Sequence, residues 1–518
     1  MKKYLVVATL ASVLLTACSN GGNSGNVSTN APTGTPTEST QSGSNEKAKE
    51  EPIEVSIMTH FHGATPPDKE GPVQKAIEEA TNTTLNIQWN SANNYLDKLN
   101  VSIASQQLAD LVLIPNSVPL DNNVFVQAVK NDIFWDLTPY IEYYPNIKNK
   151  IAEVAWDSNK IDGKNYFIPR PRTSESDWFF VFRKDWLDNL GLSVPTTDEE
   201  LYEVMKAFTY NDPDGNGKDD TTGFTGHMWT GSFGDYKSFE SLFTSANGDW
   251  KEENGSLVYS AFDEGERKAI EFLKKAYDEG LIIQDFASVT NDQKTAIFTG
   301  GKAGVLIYNS ATFPTLVDVI SQHTPDFDLM DLIPATAING YTPKSVGFNG
   351  GNAIPKTVPE EKMKRILSMI NAWMEDDIFA MHSQGIEGIH HTLENGKVVI
   401  DTEKVVADGL AEYTQIVFVA NEYGNAYRED YPEEAITLFK NIQEERAKVS
   451  TAPFVGLASE TGSTYLPEVI KDLNDMKIKI ILGHEPISSW DALVTKLQND
   501  PKMQQTIKEI NESYQGRK

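Results

Sequence analysis

The sequence predicts an α/β protein built from two or more domains or lobes, and two observations lead to that class. From Ile53 onward, short alternating apolar segments are followed repeatedly by segments with helical spacing, the order typical of a helix-covered, parallel sheet. The chain of 518 residues is also too long for a single hydrophobic core. Its 39% hydrophobic and 23% charged residues are ordinary for a globular protein.

The first elements follow in order from this pattern. Residues 53–58 alternate as a strand does, 73–80 have helical spacing, and 85–89 alternate again. A second helix over 95–105 and an apolar strand over 111–114 continue the alternation. Ligands of such sheets bind beyond the C-terminal ends of the strands. We therefore expect ligand contacts from three residues that follow strands: His60, Phe61 and Asn116.

Further along the chain, a strand is predicted over 178–182 and a helix over 198–208. Pro195 and Thr197 precede that helix, and acidic residues fill its first turn, where the helix dipole favours negative charge.

The charge and cysteine counts exclude several classes of protein. A net charge of −29, from 45 basic and 74 acidic residues, argues against a nucleic-acid partner, because that affinity depends on neutralising phosphates. A single cysteine excludes an intramolecular disulfide framework and every Cys-x-x-Cys site.

The N-terminus has the pattern of a secretory signal peptide over residues 1–17. Two lysines precede an apolar segment over 4–15 that is too short to span a bilayer. Leu15-Thr16-Ala17-Cys18 resembles a bacterial lipobox, in which Cys18 carries the lipid, for example palmitate; the alternative is a plain signal peptide with an incidental cysteine. Residues 18–51, rich in Gly, Ser, Thr, Asn and Pro, predict a flexible linker. Together these features predict a lipid-anchored protein on the outer face of a membrane.

Five ordered segments carry a resemblance to a known family: GKNYFIP, FRKDWLDNLGLSVPTTDEELYEVMKAF, FTGGKAGVLI, NAIPKTVPEEKMKRILSMINAWM and GIEGIHH. They resemble the extracellular solute-binding lipoproteins of oligosaccharide ABC importers, of the large Gram-positive type, and are similar to alginate-oligosaccharide-binding proteins. The resemblance implies a two-lobed periplasmic-binding-protein-like fold (type II, sugar-binding cluster) with a hinge. It places residues 52–170 and about 350–410 in an N-terminal lobe, and 171–349 and about 411–518 in a C-terminal lobe.

The resemblance also implies a function. The lobes would close on an oligosaccharide and deliver it to ABC transporter permease subunits, and the protein would be a monomer held by its lipid at the cell membrane. The alternative is a surface-anchored polysaccharide-degrading enzyme, either a glycoside hydrolase or a lyase. No Gly-x-Ser-x-Gly or phosphate-loop motif is present, but carboxylate pairs of the glycosidase kind leave no mark in sequence.

A sugar site combines aromatic rings, which stack on sugar faces, with polar groups that bind hydroxyls. Trp186 and Trp373 have core-like helical positions and are assigned to packing. The glycine-rich surroundings of Trp229 favour stacking, with packing as the alternative. Arg170 and Arg172, which are two residues apart, would pair with a carboxylate of the sugar if the cleft is locally positive. The remaining candidates are Arg170, Arg172, Asp177, Trp178, Trp229, Trp250, Asn349, Glu387 and His390, the last two having a structural turn as their alternative.

Residues 211–223 contain part of an EF-hand calcium loop, which we expect to bind a structural Ca²⁺ ion. The predicted ligands are Asp212, Asp214, Asn216, the carbonyl of Lys218, and Asp220. The loop departs from the motif at position 12, where Gly223 replaces the bidentate Glu, and a solvated Asx/Gly turn is the alternative. The pairs His60-x-His62 and His390-His391 lack the spacing of a zinc site.

Overall fold

The computed structural model describes residues 51–63, 65–115, 123–173, 178–229, 232–394, 397–420, 427 and 431–516. Glu51–Lys518 forms one compact unit. The predicted signal peptide and Cys18 lie outside the described residues, as does the predicted linker up to residue 50. Within the described part of the chain, no helix is long and apolar enough to cross a membrane.

The described residues form fifteen strands. They are β1 Ile53–Phe61, β2 Thr83–Ser91, β3 Leu111–Ile114, β4 Phe167–Pro171, β5 Phe179–Arg183, β6 Thr222–Phe224, β7 Trp250–Glu253, β8 Ser256–Tyr259, β9 Ala303–Tyr308, β10 Leu332–Pro334, β11 Thr342–Pro343, β12 Phe348–Ala353, β13 His391–Glu394, β14 Lys397–Ile400 and β15 Ser450–Thr451.

The same residues form eighteen α-helices. They are α1 Pro72–Thr81, α2 Ala92–Ser105, α3 Asn123–Lys130, α4 Pro145–Asn149, α5 Glu153–Ser158, α6 Lys184–Leu190, α7 Asp198–Tyr210, α8 Lys237–Thr244, α9 Glu264–Asp278, α10 Asn291–Thr299, α11 Phe313–Ile320, α12 Glu360–Trp373, α13 Asp376–Ser383, α14 Thr402–Ala407, α15 Glu433–Ala447, α16 Glu460–Ile481, α17 Ile487–Gln498 and α18 Pro501–Gln515.

The first large sheet has the strand order β2-β1-β3-β12-β4. The strands β2, β1 and β3 are parallel, as their alternation with α1 and α2 predicts. The prediction of a parallel sheet is incomplete, because β12 pairs antiparallel with both β3 and β4. That strand arrives from the distant second sheet and not through a local crossover helix, so the local pattern carried no information on its direction.

The second large sheet has the order β10-β5-β9-β6, in which only β6 and β9 are parallel. Trp186 of α6 and Phe208 of α7 pack edge to face with ring centroids 5.4 Å apart. A Cβ on Gly304 would lie 2.1 Å from the Phe208 ring, so β9 has no room for a side chain there. Trp186 and Trp373 are both fully buried, which confirms their assignment to packing.

Helix α7 begins and ends close to the predicted limits. The Thr197 side chain accepts a hydrogen bond from the backbone N–H of Glu200 at 3.1 Å, which satisfies one of the donors left free at a helix start. The first turn carries three acidic residues, as the dipole favours. Local sequence chemistry therefore determines where this helix starts.

The chain leaves the first sheet at Pro171 and enters the second at Phe179. It returns at Phe348, and the N–H of Arg172 donates to the carbonyl of Gly347 at 2.8 Å between these two connections. The core around the first sheet includes Val417, a few residues past the predicted lobe boundary near 410. The lobe limits themselves stay a prediction.

Helices α16, α17 and α18 form an additional layer against α9. Lys477 of α16 is buried beneath this layer, where its ammonium pairs with Glu240 of α8 at 2.6 Å and with Glu266 of α9. One lysine is thus shared by two buried carboxylates at the contact between the C-terminal helices and the second sheet's helices.

Candidate ligand-binding site

His60 and Arg170, two predicted binding residues, meet at the side chain of Gln415. The Nε2 atom of His60 lies 3.0 Å from Gln415 Oε1, and Arg170 Nη1 donates to the same oxygen at 2.7 Å. His60 stands near the C-terminal end of β1 and Arg170 on β4, whereas Gln415 ends a 3₁₀ helix over Leu410–Gln415. The first sheet therefore brings together polar groups from three distant segments.

Arg170 and Arg172 form a pair of neighbouring positive charges, of which Arg170 is buried and Arg172 is half-buried. Burial, and after it the charge of Arg172, lowers the pKa of Arg170 to about 9. Burial alone lowers the pKa of Arg172 to about 10. Among the described residues, no carboxylate pairs with either guanidinium, and Arg170 Nε is buried without a hydrogen-bond partner.

The Arg172 guanidinium is placed by stacking. Its central carbon lies 3.8 Å from the centroid of the Phe418 ring, a cation–π contact. In the guanidinium plane, Nη1 donates to the carbonyl of Pro171 at 2.9 Å, and a guanidinium group has five N–H donors, so others are left to bind an anion.

The His60 ring is held neutral. Burial lowers its pKa to about 4, an effect that the hydrogen bond to Gln415 opposes and the nearby charge of Arg170 strengthens. The ring packs edge-on against Tyr95, with centroids 5.3 Å apart. A neutral imidazole beside two guanidinium groups provides polar contacts without adding a third positive charge.

Two candidate tryptophans on the second sheet are exposed. Trp178 precedes β5 and is 51% exposed, and Trp229 lies in the loop after β6 and is 56% exposed. The Trp178 ring contacts Tyr308 at 5.8 Å between centroids, and the Trp229 ring contacts His227 at 5.3 Å. Each indole thus has one supported edge and a large free surface, the arrangement that stacking on a sugar face requires.

The other candidates have varied locations. Phe61 ends β1 and is half-buried, and Asn349 is exposed at an irregularity in the pairing of β12 with β4. Asn116 and Asp177 lie outside the described residues. Trp250 is buried on β7 against Tyr259, with ring centroids 5.2 Å apart. Packing therefore accounts for Trp250, which is not part of the proposed site.

The segment with Glu387 and His390 forms a turn. The His390 ring is fully buried, its Nδ1 accepts from the N–H of Ile386 at 3.0 Å, and its Nε2 lies 3.1 Å from Asp408 Oδ2. Both ring nitrogens are therefore occupied within the fold. Glu387 is exposed and bridges to the following strand through its backbone. The structural alternative accounts for His390 without a ligand.

The calcium-like loop already gathers several of its predicted ligands. The Asn216 amide donates to Asp214 Oδ2 at 2.7 Å and to Asp220 Oδ1 at 3.3 Å. Asp212 accepts from the N–H of Gly217 at 3.0 Å through Oδ2, whereas its Oδ1 is buried without a partner. The oxygen-rich donor set and the unpartnered Asp212 oxygen fit a Ca²⁺ ion. Among the described residues, however, no three His, Cys, Asp or Glu side chains cluster closely enough to mark a metal site.

The departure at position 12 of the loop has a steric reason. Gly223 lies on β6, where an added Cβ would be 2.6 Å from the Cβ of Met205 on α7. No side chain fits at this place, so the bidentate Glu of the full motif is excluded by packing. Thr221 is occupied as well, since its hydroxyl donates to the carbonyl of Phe208 at 2.7 Å.

Sequence reasoning missed several residues of the site, and their positions explain why. Gln415 is 355 residues from His60 and 245 from Arg170, and it lies in no recognisable motif. Tyr308 contacts Trp178, Asp235 contacts His227, and Lys294 contacts Asp235. These contacts join segments that are distant in the chain and form only on folding. The one local hint was the polar loop after β6, which drew attention to Trp229 but not to the buried groups beneath it.

The two-sheet architecture, the polar cluster on the first sheet and the exposed tryptophans at the second sheet are features of a binding protein. A family profile described as "Bacterial extracellular solute-binding protein" matches residues 64–352. The chain belongs to this family. Family membership confirms the predicted solute-binding fold and class, and nothing in it supports the alternative of a polysaccharide-degrading enzyme.

Three similar proteins illustrate the relationship. The Polygalacturonan/rhamnogalacturonan-binding protein YtcQ of Bacillus subtilis is 31% identical over 90% of this chain and 92% of its own length. Lipoprotein LipO of the same organism is 27% identical, covering 100% of this chain and 99% of its own. The structure of alginate-binding protein AlgQ2 without calcium ion superposes with a TM-score of 0.64 at 21% identity, over 90% of this chain and 99% of that one.

Proposed function

We propose that this protein captures an oligosaccharide between two lobes and delivers it to the permease subunits of an ABC transporter. The observation that carries the proposal is the buried Arg170 guanidinium beside His60 on the first sheet, with the half-buried Arg172 close to it. The exposed rings of Trp178 and Trp229 on the second sheet would stack on sugar faces. Contacts from both lobes would favour the closed state, which supplies the difference that an importer recognises.

We further propose that the oligosaccharide contains uronate units. Among the described residues Arg170 has no counter-charge, and a buried cation of this kind costs the folded protein several kcal/mol. Burial lowers the pKa values of both Arg170 and Arg172. A sugar carboxylate would restore the missing charge through bidentate hydrogen bonds. The polygalacturonan-binding name of the relative that is 31% identical supports the same choice. The overall charge of −29 describes the distant field and not this pocket.

The test is calorimetric binding of oligogalacturonates, with the fully methyl-esterified oligosaccharide as the uncharged match. We expect binding of the acid form and a loss of at least tenfold for the ester. Arg172→Gln should weaken binding of the acid form, whereas Arg267→Gln, which removes a charge from an exposed ion pair, should leave it unchanged. Equal affinity for acid and ester would refute uronate recognition, and cleavage of the sugar during incubation would refute the binding function.

The loop over residues 211–223 would hold a structural Ca²⁺ ion. The ligands would be Asp212, Asp214, Asn216, the Lys218 carbonyl and Asp220, and the ion would neutralise part of the negative charge of the three carboxylates, of which Asp220 also pairs with Lys302 at 2.6 Å. Binding of Ca²⁺ to the native state alone would stabilise that state. The ion would therefore fix a loop of the second lobe, at a place that the proposed sugar contacts do not include.

Thermal unfolding with EDTA and then with excess Ca²⁺ tests this site. We expect the midpoint to fall with EDTA and recover with Ca²⁺ in the wild type, and not to respond in Asp214→Asn. Asp285→Asn, an exposed carboxylate elsewhere in the same part of the fold, should respond as the wild type does. A midpoint that ignores both additions in the wild type would leave the loop as a solvated turn.

We also propose that a lipid on Cys18 holds the protein at the extracellular face of a Gram-positive cell membrane, as a monomer. The lipobox-like segment at residues 15–18 and the lipoprotein name of one relative support this proposal. Cys18→Ala should release the protein into the medium in a cell fractionation experiment. Retention of the variant in the membrane fraction would refute the role of Cys18.

A further inference from the structure

One buried carboxylate, that of Asp235, is linked through other side chains to both exposed tryptophans of the second sheet. Its Oδ2 atom accepts from the backbone N–H of His227 at 3.0 Å, lies 2.9 Å from His227 Nδ1, and accepts from Lys294 Nζ at 3.0 Å. Asp235, His227 and Lys294 are all buried. A single oxygen atom thus connects two segments that are otherwise separate in the chain.

The first branch of the network reaches Trp229. The His227 ring, fixed by Asp235, is the ring against which Trp229 packs edge-on. The backbone closes the same loop, because the N–H of Asp235 donates to the carbonyl of His227 at 3.0 Å. Gly234 has φ +60°, and a Cβ there would lie 2.1 Å from the His227 carbonyl oxygen. The backbone at Gly234 is therefore in direct contact with the backbone at His227.

The second branch reaches Trp178. Lys294 of α10 donates to Asp235 and also to the carbonyl of Ile307 at 3.2 Å, one residue before Tyr308. Its ammonium lies 5.8 Å from the centroid of the Tyr308 ring. Tyr308 in turn supports the Trp178 ring, and the strands carrying them pair at Phe179 and Tyr308.

We propose that Asp235 is a positioning residue for ligand binding, which sets the orientation of Trp229 through His227 and that of Trp178 through Lys294 and Tyr308. The inference rests on the proposed function, in which these two rings stack on the sugar. Removing the charge of Asp235 would leave Lys294 buried without its partner and His227 free to turn. Both aromatic surfaces would then move together, although neither tryptophan contacts Asp235 directly.

The alternative is that Asp235 only stabilises the core, and a spectroscopic measurement separates the two roles. The nine tryptophans are replaced by 5-fluorotryptophan, and the ¹⁹F resonances of Trp178 and Trp229 are assigned from Trp→Phe variants. In Asp235→Asn we expect both resonances to shift or broaden. The resonance of Trp186, buried in the core around the same sheet, should not move. This measurement needs no sugar, so it remains valid even if the proposed ligand is wrong.

Calorimetry with oligogalacturonate provides the functional half of the test. We expect Asp235→Asn to weaken binding about tenfold, and to add little further loss in a Trp229→Ala background, because coupled residues are not additive. Glu266→Gln is the matched control, since Glu266 is equally buried near the same sheet but pairs with Lys477. It should leave the affinity and both resonances unchanged.

Unmoved resonances of Trp178 and Trp229 in a folded Asp235→Asn variant would overturn the proposal. If that variant does not fold, His227→Gln tests the branch to Trp229 and Lys294→Met the branch to Trp178. Each should move its own resonance more than the other. A wild type that binds no oligosaccharide would overturn the proposed function alone, while shifted resonances would still support positioning by Asp235.

Discussion

Replacing Glu266 by Gln should make the protein more stable at neutral pH, because one lysine is shared by two buried carboxylates. Lys477 pairs with both Glu240 and Glu266, and their charges raise the pKa of Lys477 although burial opposes this. The site therefore carries one negative charge in excess. Burial, and after it the charge of Glu240, raises the pKa of Glu266 to about 7 from the ordinary 4.5.

The raised pKa of Glu266 makes the folded state less stable as the pH rises. Between pH 4.5 and about 7 the folded state holds a proton on Glu266 that the unfolded state has released, so stability falls as the pH rises through that range. A pKa that rises from 4.5 to about 7 corresponds to at most about 3.5 kcal/mol of stability, at about 1.4 kcal/mol per pKa unit. For the compact unit Glu51–Lys518, that free energy amounts to about 3 to 4 °C in the unfolding midpoint, at about 2.1 cal/mol/K of unfolding entropy per residue.

The assay is thermal unfolding of the wild type, Glu266→Gln and Glu264→Gln from pH 4.5 to 8. Gln keeps an oxygen for Lys477 but cannot ionise, so Glu266→Gln should gain stability over the wild type as the pH rises and match it near pH 4.5. Glu264 is exposed two residues earlier on the same helix, and its variant should follow the wild-type profile within about 0.5 kcal/mol. A Glu266→Gln profile parallel to that of the wild type would refute the reasoning.

Three further predictions concern the site and its supports. His60 should not change the affinity for sugar between pH 6 and 8, because burial lowers the pKa of His60 to about 4 and the ring stays neutral in that range. Calorimetric titrations across this pH range check the prediction. Gly223→Ala should lower the free energy of unfolding by more than about 2 kcal/mol, since its Cβ would lie 2.6 Å from the Cβ of Met205. Trp229→Ala should reduce sugar affinity at an unchanged midpoint, whereas Trp250→Ala, in the core, should cost about 3 kcal/mol of stability at unchanged affinity.

The parts of the fold that could be predicted are those governed by neighbours along the chain. The alternation of β1, α1, β2, α2 and β3 depends on apolar spacing within each segment, and the predicted limits differ from the structure by only a few residues. The start of α7 depends on Thr197 and the acidic residues that follow it. The antiparallel direction of β12 could not be predicted, because it depends on a chain that first builds another sheet.

The site shows the same division. Trp229 and Trp250 both stand near glycines in polar surroundings, yet one is exposed and the other is buried against Tyr259. Trp250 is buried because β7 pairs with β8 and brings Tyr259 beside it. The residues next to a tryptophan in the sequence do not show which strand will pair with its own. His390 similarly reads as a free polar group, until Asp408 and the N–H of Ile386 occupy its two nitrogens.

The two sheets offer a ligand different chemistry, and this bears on how binding could drive closure. The first sheet provides buried charge and a neutral imidazole, which gain most from a carboxylate that is removed from water. The second provides exposed rings, which gain from apolar sugar faces. A sugar held by the guanidinium groups alone would leave its apolar faces in water, so covering them requires the second lobe. The closed state would therefore be favoured by a ligand that carries both a carboxylate and a stacking face, and not by either alone.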